Sequence, residues 1–113
     1  MSLSRAGLVQ QNQQEYKVSG DVDFLTVPDL VRQALSFFKE SFRVNKSARK
    51  PATVTVDLSQ VTSSNSAGLA MILEMAKDAQ QNNIELHFNN LPDTLQTIAK
   101  AYGVENEIRD ICR

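Results

Sequence analysis

The sequence predicts a single α/β domain, a mixed and mostly parallel β-sheet covered by helices in the order β-β-α-β-α-β-α. Two observations carry this expectation. Segments rich in β-branched and alternating apolar residues take turns with segments whose apolar residues recur every three or four positions. Alternation of that kind builds parallel strands joined by right-handed helical crossovers. The length, 113 residues, suffices for one hydrophobic core and not for two. The domain is therefore expected to span 1–113, with a core over about residues 8–108 and no internal repeat or domain linker.

"GLVQQNQQEYKVSGDVDF" reads as two short strands around a Gln/Asn turn, Tyr16 and Val18 alternating with Lys17 and Ser19. Gly20 and Asp21 are expected to break the second strand. "LTVPDLVRQALSFFKESFRV" reads as a helix. Thr26 suits its N-cap, Asp29 completes a capping-box spacing, and Pro28 is tolerated in the first turn. Leu30, Val31, Ala34, Leu35, Phe38 and Phe42 form its apolar face, which Phe37 widens.

"NKSARKP" is a polar linker that Pro51 ends, and Lys46, Arg49 and Lys50 within it read as a solubility patch. In "ATVTVDL" the run Val54, Thr55, Val56 predicts a central strand. Later, "NN" turns into "IELHFN", with Ile84, Leu86 and Phe88 facing one way and Glu85, His87 and Asn89 the other. His87 thus falls on a solvated face. "LPDTLQTIAKAYG" gives the last long helix, with Leu95, Ile98, Ala99 and Tyr102 on one side and Gly103 at C′. "VENEIRDICR" is expected to be at most a short helical turn and a tail.

Composition narrows the function. The formal net charge is −1 and the pI about 5.8, so no basic field exists to hold nucleic acid or anionic lipid. No apolar run approaches the roughly 18 residues of a membrane span, and "MSLSRAGLVQQ" lacks the charged and apolar regions of a secretion signal. Direct membrane insertion is not expected, and a cytoplasmic location is. One cysteine, Cys112, excludes an internal disulfide or a thiolate metal cluster. One histidine, His87, makes a nucleophile–base–orienter set hard to assemble. No enzyme activity, metal or cofactor is expected.

The most unusual stretch is "VTSSNSAGLAMILEMAKDAQ", which reads as a hydroxyl-rich turn opening a helix. Four hydroxyl side chains and an amide stand between Thr62 and Ser66. A phosphate-cradling loop needs more glycines and a lysine, and a nucleophile elbow needs glycine where Ser64 stands. Asn65 or Ser66 suits the N-cap, and a phosphate on a serine there would be favoured by the amide protons and helix dipole. The site is then either a switchable serine or a small hydrogen-bonding contact surface. At 100° per residue, Leu69, Ile72, Leu73, Ala76 and Ala79 face inward. Ala67 and Met71 are expected to form a partly exposed apolar strip beside Ser66, rimmed by Glu74 and Asp78, as a docking surface.

"VDLSQVTSSNSAGLAMILEM" resembles the signature of the STAS domain family, shared by anti-sigma factor antagonists and the cytosolic parts of sulfate transporters. "YKVSGDVDFLTVPDLVRQAL" resembles that family's first-helix marker, and "NNLPDTLQTIAKAYGVENEI" its closing segment. The resemblance puts the family's key hydroxyl on Ser66, its preceding acid on Asn65, its small–Gly pair on Ala67 and Gly68, and its first-loop acids on Asp21 and Asp23. Ser64 and Met71 join these as partner-contacting residues.

"DFLTVPDL" and "NSAGLAMILEM" are closest to the MlaB branch, the STAS subunits of a phospholipid-transporting ABC system that maintains outer-membrane lipid asymmetry. That resemblance implies a non-enzymatic subunit binding an MlaF-like ATPase, peripheral to the inner membrane through the complex. The alternative is an anti-sigma factor antagonist whose Ser66 is phosphorylated by an anti-sigma factor serine kinase. Asn65 departs from the aspartate usual before a phosphorylated serine. It keeps the capping oxygen and removes the charge.

Overall fold

A computed structural model of the chain describes residues 6–12, 14–45 and 52–111. Lys46, Arg49, Lys50, Pro51 and Cys112 lie outside the described residues. A four-stranded sheet holds β1 (Ala6–Asn12), β2 (Glu15–Val22), β3 (Ala52–Ser64) and β4 (Ile84–Asn89) side by side in chain order. β1 pairs antiparallel with β2, and the β2–β3 and β3–β4 pairs are parallel. Helix α1 (Val27–Asn45) links β2 to β3, α2 (Ser66–Gln81) links β3 to β4, and α3 (Asp93–Ala101) and α4 (Glu105–Ile111) follow. The expected α/β class and sheet type are those observed, with one helix more.

That helix is α4. Val104, Ile108 and Ile111 recur at helical spacing, and Ile108 is buried while the other two pack on the core edge. One buried cluster unites a single face of the sheet, built by Leu8, Tyr16, Val18, Val54, Val56, Leu58, Leu86 and Phe88, with all four helices. Leu30, Ala34 and Phe38 are the buried positions of α1. Phe37 stacks on Tyr16 with ring centroids 4.9 Å apart, whereas Phe42, expected on the apolar face, is exposed. Tyr102 is exposed too, because α3 ends at Ala101 and Tyr102 caps it. Gly103, at φ +72°, fits its C′ place.

Two strands run further than their sequences suggest. Gly20 does not end β2. Its φ of +87° absorbs an irregularity in the ladder with β3, and pairing resumes through Asp21 and Val22. β3 continues through the hydroxyl residues to Ser64. The capping box of α1 is also replaced. The Thr26 hydroxyl donates to the Asp21 carbonyl at 2.8 Å and accepts from the Asp23 amide at 3.0 Å, while Asp29 pairs with Arg32 at 2.6 Å.

The opposite face of the sheet is polar. There Asp57 accepts from Asn90 at 2.9 Å and from the Ser59 amide at 2.9 Å, with the Lys17 ammonium 4.0 Å away. The Asn90 bond, aided by Ser59 and Lys17, holds the Asp57 carboxyl below its ordinary pKa despite desolvation. His87 is half-buried rather than solvated, with Nε2 3.6 Å from Glu85 and Nδ1 buried without a hydrogen-bond partner among the described residues.

Asp78 of α2 is the buried charged residue among the described residues, and its carboxylate makes no hydrogen bond or ion pair there. Burial pushes its pKa up, Glu74 adds to the shift, and Lys77 and Lys39 oppose it. A raised carboxyl pKa means the folded state binds the proton more tightly, so this group costs stability above that pKa and stops doing so as pH falls through it. Asp78→Asn is expected to stabilise the domain by about 1 kcal/mol at pH 7. The gain should shrink as pH drops toward the ordinary carboxylate range. Urea unfolding of both proteins across that range measures it.

Candidate functional site

The predicted site lies where β2 and β3 end side by side. Their register sets Asp21 opposite Ser63 and Val22 opposite Ser64. Asp21 Oδ1 accepts from both Thr62 Oγ1 at 2.9 Å and Ser63 Oγ at 2.8 Å. One carboxylate thus ties the end of the central strand to its neighbour. Two of the four hydroxyls that the sequence assigned to a recognition turn hold strand to strand instead.

Asn65 is the single residue between β3 and α2. It is extended, at φ −140° and ψ −163°, and its Oδ1 accepts from the Ala67 amide at 2.8 Å. The N-cap is therefore Asn65, and the loss of charge relative to aspartate leaves this cap intact. Ser66 becomes the first helical residue. It is half-buried, and its hydroxyl has no hydrogen-bond partner among the described residues, nor does that of Ser64. The first turn of α2 carries no acidic side chain, so the positive end of the helix dipole is not offset locally.

Ala67, Gly68 and Met71 do not form a surface. Met71 is only 1% exposed, and Ala67 and Gly68 are buried. A Cβ added to Gly68 would meet the Leu95 methyls at 3.0 and 3.3 Å and Val22 at 3.4 Å, so this glycine is where α2 presses on α3 and β2. That contact sets the rotation of the helix. Its solvent side carries Ser66, Ala70, Leu73 and Lys77, with Leu73 37% exposed although expected inside, and Asp78 is buried rather than on a rim. The apolar strip beside Ser66 is Ala70 with Leu73, about one residue's rotation from the expected pair.

Asp23 serves the turn after β2. Its Oδ1 accepts from the amides of Leu25 at 2.8 Å and Thr26 at 3.1 Å. The turn displays Phe24 and Leu25, 69% and 79% exposed, two large apolar side chains that no periodicity argument singled out. Among the described residues no helix is long and apolar enough to cross a membrane, and no three His, Cys, Asp or Glu side chains gather as a metal site. A groove of about 320 Å³ between β4, α3 and α4, lined by Phe88, Asn90, Leu91, Glu105 and Arg109 among others, includes none of the predicted site residues.

No curated protein sequence matches the chain. Among solved structures, that of the anti-sigma factor antagonist SpoIIAA in its unphosphorylated form overlaps it with a TM-score of 0.62, at 10% identity, covering 96% of this chain and 85% of the other. At that identity the likeness shows a shared fold. The family model described as "Mlab, STAS domain" matches residues 9–110, taking in every strand and helix that builds the site. This chain belongs to the STAS domain family, in its MlaB type.

Proposed function

We propose that the chain is a non-enzymatic subunit that binds and supports the ATPase of a phospholipid-transporting ABC complex. The contact is made by the end of the sheet where α2 begins. The observation that carries this reading is Ser66. In a chain matched by the MlaB-type model, it stands in the first turn of α2 with its hydroxyl unpartnered among the described residues and no carboxylate in that turn. A hydroxyl so placed donates to or accepts from a partner that packs closely over the helix start. The protein acts from the cytoplasmic side of the membrane and reaches it through the complex.

Ser66→Asp tests the reading. An aspartate at a helix start suits the dipole, so the fold and melting temperature should be kept. Across a closely packed interface the same charge is desolvated, and affinity for the ATPase should fall about tenfold or more in a titration. Unchanged affinity would sink the role assigned to this serine.

A second reading draws on the fold overlap with SpoIIAA. As an anti-sigma factor antagonist, the chain would accept a phosphate on Ser66 from an anti-sigma factor serine kinase. Intact mass after incubation with such a kinase and ATP separates the two. Only the antagonist gains one phosphate.

A further inference from the structure

We propose that the groove between β4, α3 and α4 binds a free apolar α-amino acid of leucine or phenylalanine size. The site is separate from the end of the sheet where Ser66 stands, and it does not depend on the function proposed above.

The groove has an apolar lining and a polar mouth. Phe88 of β4, Ala99 of α3 and Ile108 of α4 are each no more than 3% exposed. With Leu91 they are the apolar lining of a space of about 320 Å³. Ligand pockets run from about 300 to 1,000 Å³, so the guest is small. Helix α4 supplies the charges. Glu105, Ile108 and Arg109 share one of its faces, so the buried isoleucine is flanked by a carboxylate and a guanidinium. Opposite charges four residues apart on a helix ordinarily pair. These two do not, and neither makes a hydrogen bond or ion pair among the described residues.

Two amides complete the mouth. Asn90, at φ +61° in the turn out of β4, donates from Nδ2 to Asp57 at 2.9 Å. Gln96 donates from Nε2 to the Leu91 carbonyl at 3.1 Å and, more loosely, to Asp93 at 3.5 Å. Each amide is thus anchored through its nitrogen, and its oxygen has no donor among the described residues.

One groove therefore holds a cation, a carboxylate and two amide oxygens around an apolar lining. A fatty acid would satisfy Arg109 and leave Glu105 without a donor at a filled mouth. The phosphates of a nucleotide would meet one guanidinium opposed by one carboxylate. An apolar α-amino acid matches every group. Its carboxylate accepts from Arg109, its ammonium donates to Glu105 and the amide oxygens, and its side chain lies on Phe88 and Ile108. Its two charges sit on one carbon, which suits groups a single helical turn apart, about 5–6 Å between Cβ atoms.

The test follows backbone amide NMR shifts of the full chain titrated with L-leucine and L-phenylalanine. At least one should saturate with a Kd of about 1 mM or tighter, with the largest shifts at Asn90, Gln96 and residues 105–109. 4-Methylpentanoate lacks the ammonium and leucinamide the carboxylate, and each should bind about tenfold or more weakly than leucine. Leucine should lose as much with Glu105→Gln or Arg109→Gln. Both side chains are exposed and unpaired, so these variants should keep the melting temperature of the parent. Failure of both amino acids to saturate overturns the proposal. So do shifts centred outside the groove, 4-methylpentanoate binding as tightly as leucine, or unchanged affinity in both variants.

Discussion

Arginine at Met71 should unfold the domain. The thioether is sealed within the core, so a guanidinium there would stand in an apolar interior with no counter-charge. A buried unpaired charge costs about 4 kcal/mol or more, a large part of the roughly 5–15 kcal/mol that keeps a domain folded. Leu73→Arg, two positions along but on the solvent side, should change stability by no more than about 0.5 kcal/mol. Urea unfolding followed by circular dichroism reads both. Loss of the transition for Leu73→Arg with a normal one for Met71→Arg would mean that α2 is rotated the other way.

Valine at Gly68 should cost about 2–3 kcal/mol. The reason is space, since Leu95 and Val22 already crowd the place of a Cβ and are themselves fully buried. Two further methyls cannot be accommodated without moving α3 away from α2. Alanine sets a finer balance. It gains about 1 kcal/mol of helix propensity over glycine and loses a similar amount to the 3.0 Å contact with Leu95, so Gly68→Ala should be close to neutral. Combining Gly68→Val with Leu95→Ala makes room, and the pair should be less destabilising than the sum of the single changes. Strict additivity would show that the two residues are not in contact.

The strands and helices were legible because their residues alternate or recur cleanly. Val54 and Val56 mark β3, and Leu30, Ala34 and Phe38 mark α1. What the residues do not announce is how far an element runs when a neighbour supports it. Thr62 and Ser63 have the composition of a turn, and β3 keeps them because Asp21, distant in sequence, accepts both hydroxyls. Gly20 looks like a strand breaker and is instead the residue that lets β2 absorb an irregularity.

The site shows the same division. The Asn65 cap, one of two offered by the sequence, follows from local chemistry alone. The face of α2 did not, since a helix so apolar admits several rotations and the decision rests on Gly68 meeting Leu95. Helical spacing alone sets Met71 and Ala67 at the outer edge, and that contact turns them inside. Nothing in the sequence marks Phe24 and Leu25 as exposed, because apolar residues beside a helix start ordinarily turn inward.

The connection between β3 and α2 is one residue long. Asn65 alone spans it, extended on one side and hydrogen-bonded into the helix on the other. A joint with no spare residue has no slack, so a push on the first turn of α2 is passed on as displacement of β3 and, through Asp21, of β2. Load applied at Ser66 is therefore delivered to the middle of the sheet, and the domain answers it as a stiff lever.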